Sequence, residues 1–146
     1  MNQSPVNLSD QLSQRDLQIL NNLERFRLLT TRHIQRLHFP AQPYGMHTSG
    51  ASATRGTTRV LNRLEAHGLI GRLARRIGGA KHGSAVVIWQ LAARGEALLR
   101  SQRGETQRRR FEEPSLHFAR HTLAVAEVAV TLIEASSAGE LGLMHV

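Results

Sequence analysis

A mainly α-helical chain with a small β-wing is what these 146 residues predict, and three observations carry that expectation. Apolar residues recur at helical spacing in several separate segments, each opened by a Ser or Thr. After the third of them, two short apolar runs flank the Gly-rich stretch GGAKHGS at 78–84. Basic charge gathers around that helix and hairpin: residues 51–111 hold 13 of the 19 Lys and Arg but only 3 of the 11 Asp and Glu. Three helices and a hairpin, with a cationic third helix, form the pattern of a winged helix-turn-helix, here followed by one more long helix.

Residues 1–12 read as a flexible polar tail. Ser13 then caps the first helix, with Asp16 three residues on as a short capping box and Leu12 placed to staple onto Leu17. Ile19, Leu20, Leu23 and Phe26 form its buried stripe. Thr30–Thr31 caps a short second helix that ends at Pro40, with Ile34 and Leu37 inward. Between His38 and Ser52, Pro40, Pro43, Gly45 and Gly50 preclude one regular element. The third helix is expected to start near Ser52–Thr54 and to stop at Gly68, a C′ glycine after His67. Val60, Leu61 and Leu64 are its inner stripe.

The outer face of that third helix presents Arg55, Thr58, Arg59, Asn62 and Arg63 at i, i+3, i+4, i+7 and i+8, so all five point roughly the same way. Arg can bridge guanine O6 and N7, Asn can bridge adenine N6 and N7, and Thr can meet a thymine methyl. The rival reading is an ordinary charged helix surface. Helix surfaces usually mix signs, however, and these five positions include no acid. They are the candidate base-reading residues. The strand LIGRLARRI, the turn and the return strand AVVIWQL then supply Arg72, Arg75, Arg76, Lys81 and His82 as candidate DNA-backbone contacts, which position a protein without reading sequence. Trp89 reads as a core or strand-pairing residue rather than a base-stacking one. Residues 92–101 form a fourth helix that turns Leu98 and Leu99 inward, and 102–114 read as a linker. These elements organise the chain as a winged helix-turn-helix domain over 13–101, the linker, a helix over 115–136 and a tail over 137–146.

Ser115 opens that last helix, which has two apolar seams. One is Leu116, Ala119, Leu123, Ala126, Val130 and Ile133. The other is Phe118, Thr122, Val125, Ala129 and Leu132. One seam can pack on the chain itself and the other then needs a partner. The first is expected to be the interface of a homodimer, with a compact monomer as the competing solution.

Composition removes several alternatives. The net charge of +8 suits a polyanionic partner, or else merely a solvated basic face. Aromatics at 4% are too sparse for a base-stacking platform. With no cysteine there is neither a disulfide scaffold nor a thiolate metal site. The N-terminus lacks the basic and apolar regions of a signal peptide, and no apolar run nears the ~20 residues that span a bilayer, so a cytoplasmic protein with no membrane partner is expected. His117 and His121 are four apart but have no third ligand at convincing spacing. No nucleotide loop, nucleophile elbow or paired carboxylates appear, so no enzyme, cofactor or metal is expected.

The segments SQRDLQILNNLERFRLLTTRHIQRLHFP, TRVLNRLEAHGLIGR and VIWQLAARGEALL, with the Gly-rich turn and the last helix HTLAVAEVAVTLIEA, together resemble the replication-relaxation family over 13–135. The pattern R-x-L-x-x-L-x-x-x-G-L-I at 59–70 also recurs in winged-helix regulators of the MarR and PadR kinds. The resemblance implies DNA binding tied to the replication, transfer or transcriptional control of a plasmid or mobile element. Members of that family are commonly longer, so a truncated or short form is expected here. The joint expectation is a homodimer on a palindromic double-stranded DNA operator. A protein-interaction module of a replication or conjugation complex is the alternative. A ligand-responsive repressor is a third reading, though no residue pattern marks a pocket.

Overall fold

The structure is a computed structural model that describes residue 8 and residues 10–40, 49–73, 86–105 and 115–137. In chain order its elements are α1 (Gln14–Phe26), β1 (Leu29–Thr30), α2 (Thr31–His38), α3 (Gly50–Ala66), β2 (Ile70–Arg72), β3 (Ile88–Leu91), α4 (Ala93–Arg103) and α5 (Leu116–Ser137). The expected class, mainly helical with a small sheet, is borne out. The sheet is antiparallel, in the order β1-β3-β2, with Trp89 opposite Leu29 on one side and Arg72 on the other.

Local chemistry explains most boundaries. The Ser13 hydroxyl accepts from the Asp16 N–H at 3.1 Å and the Asp16 carboxylate accepts from the Ser13 N–H at 3.0 Å, so both partners of the capping box are engaged. Thr30 caps α2 in the same reciprocal way, but with His33 as the returning partner: the Thr30 N–H donates to His33 Nδ1. α3 begins earlier than expected because Ser49 is its cap, accepting from the Ser52 N–H. It ends as expected, with Gly68 at φ +75°, the Gly68 N–H on Glu65 O and the Leu69 N–H on Leu64 O. Arg94 then donates to His67 O and covers one more carbonyl of that terminus.

Two findings were not legible from spacing. β1 is only two residues long, and its pairing is defined by β3 rather than by any periodicity of its own. Leu8, expected in a flexible tail, is fully buried with Ile19, Leu20, Leu23, Leu61 and Leu64 in the main core. Burial takes the Leu8 side chain out of water, and the open edge of this core is where it can go.

The long helix α5 lies against α2 and β1. Leu28, Ile88 and Ala119 form a small second cluster, with Leu73 and Leu123 packed on it, while Ala126 joins the main core. This reverses the expected roles of the two seams. Ala119, Ala126 and Val130 are fully buried within one chain, and Leu123 and Ile133 are partly covered; Leu116 begins the same helix. The seam expected to face a partner is therefore the one the chain covers itself. Spacing alone could not choose, because both faces are apolar. The choice follows from polar anchors on α2, where Arg36 binds Glu127 and Glu134, and His33 binds Glu127.

Gly95 sits where α4 meets the β2 entry. A Cβ there would lie 2.1 Å from Leu69 O, a backbone atom that also accepts from the Ala92 N–H. Gly95→Ala should therefore destabilise the protein by about 3 kcal/mol, read as a lowered urea midpoint, because backbone rather than a flexible side chain must move. An unchanged midpoint would refute this account of the turn.

His38, at the end of α2, has its Nε2 2.7 Å from the Asn22 amide nitrogen. Burial, and then the nearby Arg15 cation, push its pKa down to about 4. The unfolded chain takes up this proton near pH 6.5, the folded chain near 4. Stability should thus fall as pH drops through that window, by at most about 3 kcal/mol. Urea titrations at successive pH values should show this acid limb, and His38→Gln should flatten it.

Candidate nucleic-acid interface

α3 turns Ala53, Thr57, Val60, Leu61 and Leu64 inward, and the Thr57 hydroxyl is satisfied by Ala53 O at 2.7 Å. Arg55, Thr58, Arg59, Asn62 and Arg63 are all exposed, so the sequence-derived face exists as one surface. Its members are not equivalent. Arg55 and Arg59 make no hydrogen bond or ion pair among the described residues. Two free guanidiniums one turn apart are suited to an anionic or base-edge partner.

Arg63 is different. Its Nη2 lies 2.8 and 2.9 Å from the two carboxylate oxygens of Asp16, which is buried at the start of α1. This end of the face is thus tied to α1, and the same carboxylate serves the Ser13 cap. Sequence reasoning identified Asp16 only as a cap. The two partners are 47 positions apart, and no local pattern signals the pair.

Arg72 is also held. Its guanidinium carbon sits 4.9 Å from the Trp89 ring centroid, its Nε donates to Glu65 at 3.2 Å, and its Nη2 donates to Asn62 Oδ1 at 3.2 Å. The Asn62 amide is thereby oriented, its oxygen engaged and its nitrogen left with protons to offer. Glu65, an acid on the flank of the face, is neutralised by the same arginine. Trp89 is buried, pairs in the sheet and donates from Nε1 to the Thr31 hydroxyl at 2.8 Å, as expected of a core and strand-pairing residue. Arg75, Arg76, Lys81 and His82 lie outside the described residues.

Behind the face, α2 is braced by a polar network that the sequence did not disclose. Arg36 Nη1 donates to Glu127 and its Nε and Nη2 donate to Glu134, while Nη2 also reaches the Thr131 hydroxyl. His33 Nδ1 already accepts from Thr30, so Nε2 carries the proton and donates to Glu127 Oε2 at 2.7 Å. The hydrogen bonds from Arg36, and then from His33, hold the Glu127 carboxyl below the usual carboxylate range. His117 and His121 are exposed on α5, and among the described residues no three His, Cys, Asp or Glu gather to hold a metal ion. No helix among the described residues is long and apolar enough to cross a membrane.

A family model described as Replication-relaxation matches residues 20–143. No curated protein and no solved structure matches the chain.

The Asp16–Arg63 pair is open to a double-mutant test. Asp16→Asn and Arg63→Gln should each lower stability by about 2 kcal/mol in urea denaturation, because each leaves the other group without its partner beside a buried site. The double variant should lose clearly less than the sum. Strict additivity would mean that the two side chains do not interact.

Proposed function

From the premise that this chain belongs to the replication-relaxation family, we propose that it is a winged helix-turn-helix protein that binds double-stranded DNA in a sequence-specific way, as a homodimer. The family suggests a role in the replication or transfer of a plasmid or other mobile element. The observation that carries the proposal is the outer face of α3, where Arg55 and Arg59 are exposed and unpaired among the described residues, beside Thr58 and an oriented Asn62.

In this reading α3 enters the major groove. Arg55 and Arg59 read guanines, Asn62 reads an adenine and Thr58 meets a thymine methyl or a phosphate. Arg63, bonded to Asp16, positions the helix and offers its remaining protons to the same groove. Arg72 stands at the flank and meets the DNA backbone from its stacked position on Trp89. The sheet order β1-β3-β2, with two helices preceding α3 and β2 packed against it, supports the winged arrangement. Arg75, Arg76, Lys81 and His82 in that connection add backbone contacts. Two copies would present their α3 helices to successive major grooves about 34 Å apart, on a palindromic operator. Regulation of transcription and control of replication both follow from occupancy of such a site.

The test is a binding titration on the DNA upstream of the chain's own coding region, repeated over a series of salt concentrations. Affinity should fall with a log–log slope of about −0.9 per phosphate neutralised. Arg59→Ala should weaken cognate binding by about 1–3 kcal/mol and relax preference at one operator position. If cognate and scrambled duplexes weaken equally, Arg59 is a phosphate contact instead. Affinity that barely responds to salt would favour the alternative, a module that binds a protein of a replication or conjugation complex.

A further inference from the structure

We propose that the outward face of α5 is the surface on which two copies of this chain associate, with Phe118, His121, Val125, Val128, Leu132 and Ala135 as its seam. This inference rests on the homodimer of the proposed function and names the face that builds it.

Among the described residues the exposed large apolar side chains are Val86, Phe118, Val125, Val128 and Leu132, and all but Val86 belong to α5. They do not scatter over the helix. Together with His121 and Ala135, the four follow a strict 3-4-3-4-3 spacing, the a and d positions of a heptad repeat. The opposite side of α5 is already packed on the chain's own core through Ala119, Ala126 and Val130. A helix that is apolar on both sides is buried on both sides in its working state, and among the described residues only one side is covered. A contiguous apolar stripe left in water marks an interaction surface.

The flanks of the seam argue that the partner is a second copy. In heptad terms the flanking positions are His117, Ala124 and Thr131 on one side and Thr122, Ala129 and Ser136 on the other. These positions choose partners through complementary charge. Here they carry no Lys, Arg, Asp or Glu, so two identical faces meet without like-charge repulsion, and no charge pattern selects a different helix. The charged residues of α5 sit elsewhere: Glu127 and Glu134 turn to Arg36, and Arg120 lies off the seam. Small side chains at Ala124 and Ala129 let two backbones approach closely. His121, a polar residue at one d position, lowers the stability of the pair while fixing its register. Because Arg36 and His33 clamp α5 to α2, the dimer seam is mechanically joined to the helix pair that carries the proposed DNA face.

The experiment is sedimentation of the full chain over a concentration series, as wild type and as the double variant Val125→Glu/Val128→Glu. Both sites are more than half exposed, at 51% and 61%, so the folded chain tolerates the charges, and a circular dichroism melt checks this. The wild type should sediment at about twice 16.2 kDa and the double variant at once that mass. The chain has no cysteine, which allows a second arm that does not depend on disruptive charges. Val125→Cys should give a disulfide-linked dimer under mild oxidation and Arg120→Cys should not. A wild type that stays monomeric overturns the proposal, as does a dimer that survives the double substitution or cross-links equally at both positions. A dimer that survives the double substitution and binds duplex DNA sinks this inference alone, whereas a monomeric wild type that binds duplex DNA in a salt-dependent manner sinks it together with the homodimer and leaves the DNA reading standing. A seam-dependent dimer without affinity for duplex sinks the DNA reading alone.

Discussion

The buried carboxylate of Asp16 is the point at which helix start, core and outer surface are joined. A carboxylate with 1% exposure is tolerable only when its lone pairs are taken up, and here the Ser13 N–H and Arg63 Nη2 take them up together. The same group therefore begins α1, anchors α3 and orients one edge of the cationic face. Removing it would leave α1 without its returning cap partner and Arg63 without its counter-ion. Ile19, Leu20 and Leu23 of α1 share the main core with Leu61 and Leu64 of α3. The ion pair supplies directionality, which non-directional apolar contacts lack.

A second set of polar contacts works on the far side of the molecule. Arg36 and His33 reach from α2 to Glu127, Thr131 and Glu134 on α5, and Trp89 reaches from β3 to Thr31 at the start of α2. The short helix α2 is thus held between the sheet and α5 by directed bonds at both ends. Such an arrangement decides which apolar side of α5 turns inward. Once Glu127 and Glu134 face Arg36, Ala119, Ala126 and Val130 must follow into the core, and Phe118, Val125, Val128 and Leu132 are left outside. The contacts of α2 run on one side to α5 and on the other to α3, so the short helix links the two.

Within α3 the five outward residues divide by what else they do. Arg63 and Asn62 are engaged by Asp16 and Arg72. Arg55 and Arg59 have no such tie among the described residues. A surface with fixed members at one end and free guanidiniums toward the other combines a set orientation with side chains that can adapt to a ligand. Glu65 contributes by holding Arg72 over Trp89, so the one acid on this flank does not offset the positive charge presented outward.

The local features were legible because local chemistry writes them. Ser13 with Asp16, Thr30, Gly68 after His67 and Ser115 each satisfy or release backbone groups within one turn of chain, so capping rules locate α1, α2, the end of α3 and α5 without knowledge of the rest. The charge of residues 51–111 and the common face of Arg55, Thr58, Arg59, Asn62 and Arg63 follow from composition and a 3.6-residue period alone. What tertiary structure decided lies between residues distant in sequence. β1 exists only because β3 lies beside it, and Leu8 is buried only because a core edge is there to receive it. Arg63 meets Asp16 across 47 positions and Arg36 meets Glu134 across 98. The inward face of α5 was set by such partners, because a helix apolar on two sides has no period of its own that prefers either.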